Sequence, residues 1–313
     1  MDKFNSIIEL ISHTPLIEIT YKYKNKCRKA FAKCEWFSLT GSIKDKVAYN
    51  IFKTAYETKS LHTGDKVVEV SSGNMGISVS AIGNLLGNPV TILMPKNMSE
   101  ERKKLIKLYG ATLIETNNFT EAFALCDKMI SEGYFCTKQF ENPSNTQAHI
   151  NITAKEILEK ANALDAEVFV AGIGTSGTLS GIGTALKDQL GIKIIALEPE
   201  NARIISSPPP YSHHKLQGLS DEILPKLFDK DLCDDVLQIS DDDAIAMSRK
   251  LCKELSLGVG ISSGANFLGS VLSQKNAITI FPDDNKKYLS TDLSHDITTP
   301  LVDSIELVSY RVL

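Results

Sequence analysis

What this sequence has little of narrows its class before any motif is read. Its 313 residues include one tryptophan and no uninterrupted apolar run near the ~18 residues of a membrane span, so no membrane partner is expected. Net charge is only −4, with Lys and Arg scattered rather than striped, so nucleic acid is not an expected partner either. The six cysteines, Cys27, Cys34, Cys126, Cys136, Cys233 and Cys252, form no C-x-x-C pair and have no histidine at zinc spacing. No metal site is expected, and the thiols read as reduced and mostly packed. The opening "MDKFNSIIELI" has an acid at position 2 and too short an apolar run for a secretory signal, which makes a soluble, cytoplasmic protein the expectation. Gly/Ser linkers, short repeats and low-complexity tracts are absent, and "SSPPPYSHH" reads as an irregular surface loop.

Hydrophobic residues make up 42% of the chain, enough for a sizeable core divided between two lobes. Short β-branched runs, "KVVEV", "NPVTILMP", "GATLIET", "GYFCTKQF", "AEVFVAGI", "IKIIALEP" and "AITIFP", alternate with amphipathic segments such as "ERKKLIKLYG" and "DDAIAMSRKLCKEL". That rhythm predicts an α/β fold with parallel sheets, and so places function in the loops at strand C-termini.

Within "SLTGSIKDK", Gly and Ser precede a helical run in which Ile43, Val47, Ile51 and Ala55 recur every four residues, placing Lys44 in a first helical turn. A solvated lysine is the ordinary reading, yet a helix N-terminus disfavours cations and favours bound phosphates and carboxylates. A P-loop is excluded because the glycine it requires before Gly-Lys-Ser/Thr is missing. The remaining chemical reading is a lysine that forms an imine.

Three βα loops stand out. In "VVEVSSGNMGISVSAIG", Ser71, Ser72, Gly73 and Asn74 present backbone N–H groups at a helix start, either as a seat for a carboxylate or as a simple cap. In "EVFVAGIGTSGTLSGIGTAL", Gly172, Gly174 and Gly177 match G-x-G-x-x-G, and Glu198 closes the next strand, as in a dinucleotide-binding fold. An NAD-dependent oxidoreductase is therefore a rival reading. The hydroxyls of Thr175, Ser176 and Thr178, however, suit a terminal monophosphate better than a bridging pyrophosphate. In "LGVGISSGANFLG", Ser262 and Ser263 either cap a helix or hold a ligand.

Taken in order, these elements resemble the fold-type II pyridoxal phosphate enzymes of the cysteine synthase (O-acetylserine sulfhydrylase) and cystathionine β-synthase family. The resemblance spans nearly the whole chain, through "LISHTPLIEI", "GSIKDK", "SSGNMG", "MPKNMSEERKKLIKLYGA", "QFENPSN", "GIGTSGT", "LEPE", "HKLQG", "GISSGA" and "KKYLST". It implies a two-lobed, tryptophan synthase β-like α/β architecture with twisted, mostly parallel sheets, and pyridoxal 5'-phosphate as cofactor. Lys44 would be the Schiff-base lysine and Asn74 the partner of the cofactor's 3-hydroxyl. Gly174, Thr175, Ser176, Gly177 and Thr178 would cradle the phosphate, and Ser262 would meet the pyridine nitrogen. Ser71, Ser72 and Gln139, in a pocket with Gly73 and Met75, would receive the substrate carboxylate. A smaller mobile lobe is expected from residues 38–142 and a larger one from 1–37 and 143–313, with a homodimer as the family's usual assembly.

The departures from the family pattern bear on the reaction. Ser38-Leu39, Lys46 and His13 stand where the family usually has Asn-Pro, Arg and Asn, and these read as structural. Met75 replaces a threonine, removing a hydroxyl donor worth about 0.5–1.5 kcal/mol to a carboxylate. In "QGLSDEILP", Asp221 and Glu222 replace small neutral residues. A carboxylate ~4 Å from the path of hydrosulfide would repel it by up to about 4 kcal/mol at an effective dielectric near 20. The same group, acting as a general base on water, would be worth roughly 10²–10⁴ in rate. Cysteine synthesis from O-acetylserine and sulfide is the leading expectation. The alternatives are a hydrogen sulfide-producing cysteine lyase, with Asp221 as the base that adds water to an aminoacrylate and Glu222 as a further substrate contact, and a cystathionine β-synthase-like condensation.

Overall fold

The computed structural model describes residues 2–206, 214–220 and 224–313. Its strands are β1 (Leu16–Tyr23), β2 (Lys26–Cys34), β3 (Val67–Val70), β4 (Val90–Pro95), β5 (Thr112–Thr116), β6 (Phe135–Cys136), β7 (Val168–Gly172), β8 (Lys193–Pro199), β9 (Asp235–Ile239), β10 (Ala277–Phe281) and β11 (Glu306–Val312). The helices are α1 (Asp2–Ile11), α2 (Lys44–Glu57), α3 (Asn74–Leu86), α4 (Glu100–Leu108), α5 (Phe119–Ser131), α6 (Pro143–Ala148), α7 (Lys155–Leu158), α8 (Gly177–Leu190), α9 (Asp241–Leu255), α10 (Ile261–Leu272) and α11 (Pro300–Asp303).

Two sheets form among the described residues. One has the order β5-β4-β3-β6 and is wholly parallel. The other has the order β11-β1-β2-β10-β7-β8-β9, parallel from β2 to β9, with β1 antiparallel to both β2 and β11. The α/β class and the mostly parallel sheets are as the sequence leads one to expect. The central strands of both sheets are covered on two faces, which is why "VVEV" and "AITIF" are buried at every position instead of alternating.

Helix α10 is buried along nearly its whole length. Gly264 lets it approach α9, since a Cβ there would lie 2.3 Å from the Ala244 carbonyl oxygen. Ile7 and Ile11 of α1 join the core around the four-stranded sheet, with Val47, Phe52, Ile82 and Ile92. The N-terminal segment therefore contributes to both bodies: α1 to this core, β1 and β2 to the larger sheet. Lys46, buried on α2, lies 2.9 Å from Glu35 and 3.0 Å from Glu156, pinning the helix that bears Lys44 to the end of β2 and to α7. No helix among the described residues is long and apolar enough to cross a membrane. All six cysteines are free; Cys34 and Cys126 are buried, whereas Cys27 and Cys252 are exposed.

Candidate active site

A narrow cleft opens where the C-terminal ends of β3, β7 and β10 converge, the usual place for ligands in parallel sheets. Lys44, Ser71, Ser72, Asn74, Met75, Gln139, Gly174, Thr175, Ser176, Thr178 and Ser262 all line it. Gly73 and Gly177 sit in the same two loops. Asp221, Glu222 and most of "SSPPPYSHH" lie outside the described residues.

Lys44 occupies the first turn of α2, and its Nζ is 3.4 Å from Thr175 Oγ1. The turn before it is fixed by the neighbouring acid: buried Asp45 accepts from the Thr40 amide at 2.7 Å, from the Thr40 hydroxyl at 2.5 Å and from Ser78 Oγ at 2.7 Å. Lys44 is thereby aimed at the loop between β7 and α8. In that loop Ser176 has φ 67°, and the first helical amide bond runs from Ser180 N to the Ser176 carbonyl. The amides of Gly177, Thr178 and Leu179 are left at the positive end of a 14-residue helix. A Cβ on Gly174 would lie 2.3 Å from the Gly218 carbonyl oxygen, and one on Gly177 would lie 2.0 Å from Asn145 Oδ1. Asn145 Nδ2 donates to Thr175 Oγ1 at 2.9 Å. Thr178 Oγ1 is 3.3 Å from Nε2 of His149, a buried ring whose pKa burial and the nearby Lys44 and Lys46 cations hold well below 6.5.

Across the cleft, Ser71 Oγ accepts from the amides of Gly73 (3.0 Å) and Gly76 (2.9 Å), so the cap reading is correct for its oxygen, while its proton remains available to donate. Helix α3 makes its first amide bond from Ile77 to Gly73, leaving the amides of Asn74 and Met75 without acceptors in the helix. Gln139 uses Nε2 to donate to the Val70 carbonyl at 2.8 Å and to Glu69 Oε1 at 3.2 Å. Glu69, fully buried, also accepts from Thr137, and burial pushes its carboxyl up to about 7.

A buried polar cluster ties the two loops together. Asn74 Nδ2 and Tyr288 OH each donate to Asp283 Oδ2 at 2.7 Å. Arg102 lies 3.8 Å from the same oxygen, with its guanidinium 4.4 Å from the centre of the Tyr288 ring. Its Nη1 donates to Gln217 Oε1 at 2.5 Å, and its side chain runs against Gly73, where a Cβ would lie 2.2 Å from Arg102 Cδ. Sequence reasoning gives no role to Glu69, Arg102, Asn145, His149, Gln217 or Asp283. The available signals are position next to a functional loop and, for Asp283, an acid at the end of an apolar strand in "AITIFPDD". Glu198, the ribose-binding acid of the dinucleotide reading, is buried and accepts from the amides of Ile204 and Ile205 at 2.9 Å each, so it is a structural group.

Comparison with known proteins accords with this geometry. The family model described as pyridoxal-phosphate dependent enzyme matches residues 7–283. Cysteine synthase B of Campylobacter jejuni is 39% identical over 305 residues, which span 94% of this chain and 99% of that one. The chain belongs to the cysteine synthase family. The cysteine synthase of Staphylococcus aureus is 34% identical over 301 residues, 92% of this chain and 96% of its own. Among solved structures, a hydrogen sulfide-producing enzyme of Fusobacterium nucleatum superposes with a TM-score of 0.95 at 40% identity, covering 100% of this chain and 99% of that one.

Pyridoxal phosphate is the cofactor of this cysteine synthase family member, and the residues present fit it. Gly174 and Gly177 leave no room for a Cβ, and the amides at the start of α8 precede its first helical amide bond, an arrangement that would suit a phosphate. Asn74 Oδ1 is buried without a partner and can accept from a ring hydroxyl.

Proposed function

We propose that the chain catalyses replacement at Cβ of a serine-type amino acid, as cysteine synthases do, converting O-acetylserine and sulfide to cysteine. One observation carries the reading: Lys44 Nζ lies 3.4 Å from the phosphate loop, in the same cleft as a helix start suited to an α-carboxylate. Bound pyridoxal phosphate supplies an electron sink that acidifies Cα–H and lets a group leave from Cβ. Lys44 holds the cofactor and, once displaced, moves the proton at Cα. Gly174 to Thr178 bind the phosphate and Asn74 meets the 3-hydroxyl. Ser262 offers the ring nitrogen a hydroxyl instead of a charged carboxylate, which favours loss of a β-substituent over transamination. The Ser71 proton, the amides of Ser72, Asn74 and Met75 and one amide proton of Gln139 receive the substrate carboxylate.

Residues 38–142, with α1 packed into their core, form the smaller lobe and close over substrate. The Arg102–Gln217 hydrogen bond is one contact joining that segment to the remainder. By likeness to the family, the enzyme works as a cytoplasmic homodimer.

A second reading is favoured by the whole-chain likeness to the hydrogen sulfide-producing enzyme and by the acid pair Asp221-Glu222. In it the chain releases hydrogen sulfide from cysteine, and Asp221 acts as the base that delivers water to Cβ, giving serine. Purified protein given O-acetylserine plus sulfide, or cysteine alone, with the amino-acid product identified, tests both. Faster cysteine formation supports the synthase; serine and sulfide from cysteine at the higher rate replaces it with the lyase.

A further inference from the structure

Glu69 takes no part in the proposed chemistry, yet it touches a residue that does. The Gln139 amide has two protons on Nε2, one directed at the Val70 carbonyl (2.8 Å) and one at Glu69 Oε1 (3.2 Å). Both are engaged before any substrate arrives. The Val70 carbonyl fixes which side of the amide carries nitrogen, because turning it over would set two carbonyl oxygens against each other. Only the proton now given to Glu69 can be redirected to an incoming carboxylate.

We propose that Glu69 is a positioning residue whose carboxyl competes with the substrate carboxylate for one amide proton of Gln139, so that substrate is bound best when Glu69 is protonated. The proposal rests on the assignment of Gln139 to the substrate carboxylate. Ionised Glu69 is the stronger acceptor and also repels a second carboxylate; neutral Glu69 releases the proton and removes the repulsion. By linkage, substrate binding then takes up protons.

The surroundings leave Glu69 free to play this part. It is fully buried on β3, accepts from Thr137 as well as Gln139, and burial raises its carboxyl to about 7, inside the working range of a cytoplasmic enzyme. The titratable groups sharing the adjoining cavity are Cys126 and Asp127 from α5, Cys136 from β6, and Lys138, Glu141 and Lys226 from the neighbouring loops. The hydrogen bond with Cys126, and burial, hold the Cys136 thiol protonated, and Glu141 is engaged by Lys138 and Lys226. The side-chain hydrogen bonds to the Glu69 carboxyl come instead from the uncharged Thr137 and Gln139.

The test uses the cofactor-loaded protein and L-methionine, which has no leaving group on Cβ, with binding followed by the visible absorption of the cofactor between pH 6 and 8.5. The incoming ammonium loses a proton equally in wild type and Glu69→Gln, so the difference between them isolates Glu69. Affinity in the wild type should weaken about tenfold more over this range than in Glu69→Gln, the effect of a one-unit pKa change on binding. L-methioninamide, lacking the carboxylate, should show no such difference. Calorimetry in two buffers of different ionisation enthalpy should show that, near pH 7.5, wild type takes up about half a proton more per site than Glu69→Gln does. Identical pH profiles in the two proteins, or an equal difference with methioninamide, overturn the role of Glu69. Unchanged methionine affinity in Gln139→Ala overturns the assignment of Gln139 beneath it. Should Glu69→Gln not fold, absence of any carboxylate-dependent proton uptake in the wild type is itself contradictory.

Discussion

The Asn74 side-chain nitrogen donates to Asp283 Oδ2 at 2.7 Å, joining the start of α3 to the end of β10. This bond turns Asn74 so that its oxygen is left buried without a partner, in the cleft that Lys44 also lines. Asp283 is therefore the group through which Tyr288, Arg102 and Asn74 are oriented together.

Removing that acceptor should be costly. Asp283→Ala leaves the buried Arg102 without its counter-charge and strands two donors, for an expected loss of about 3–5 kcal/mol in urea unfolding. Asp283→Asn should lose less, because it keeps an acceptor. A loss below about 1 kcal/mol in Asp283→Ala would show that the cluster does not organise the site.

Gly174→Ala should fold but hold its cofactor poorly. The added Cβ would lie 2.3 Å from the Gly218 carbonyl oxygen, so the phosphate loop must move away from it, at about 1–3 kcal/mol of strain. Dialysis followed by visible absorption should show cofactor retention falling at least tenfold, and retention equal to wild type would contradict the loop assignment.

Two buried groups should give stability opposite pH slopes. His149 is held neutral when folded, whereas in the unfolded chain it gains a proton below about 6.5; its contribution is complete above that pH and is lost as pH falls. The expected slope is up to about 1.4 kcal/mol per pH unit, and His149→Asn should flatten it. Glu69, raised to about 7 from 4.5, keeps its proton when folded, so stability falls as pH rises through that interval, by at most about 3 kcal/mol. Urea unfolding from pH 5 to 8 checks both: Glu69→Gln should remove the fall that runs up to about pH 7, and unchanged profiles in either protein would refute the corresponding assignment.

Much of the parallel framework is legible because apolar runs such as "NPVTILMP" and "AITIFP" are short, β-branched and bounded by turns, and they form β4 and β10. Strands β1, β2 and β11 are not legible in this way. The pairing of Ile17 with Val312 joins the two ends of the chain, and such long-range antiparallel contacts leave no local periodicity. "GYFCTKQF" reads as a strand, yet only Phe135–Cys136 pair, since Thr137 and Gln139 turn in to meet Glu69. Lys44, Asn74 and the Gly174 loop are readable because a helix start and a glycine mark them in the sequence. Arg102, His149 and Asp283 are not, because an ordinary charged residue becomes part of a site only through partners distant in the chain.

Ser71→Ala separates the two uses of one hydroxyl. Loss of the acceptor for Gly73 and Gly76 should cost about 0.5–2 kcal/mol of stability, as for other helix caps. Loss of the proton toward the substrate carboxylate should raise KM roughly five- to tenfold with a smaller change in kcat, the pattern of a uniform binding contact. An unchanged KM would confine Ser71 to capping.

The central claim is that Lys44, held 3.4 Å from Thr175 at the start of α2, is the residue to which the cofactor is attached. Reduction of the purified yellow protein with borohydride, followed by peptide mapping, tests it directly. The cofactor-derived mass is predicted on the peptide containing Lys44 and should be missing from Lys44→Ala. Attachment at another lysine, or at none, would contradict the account.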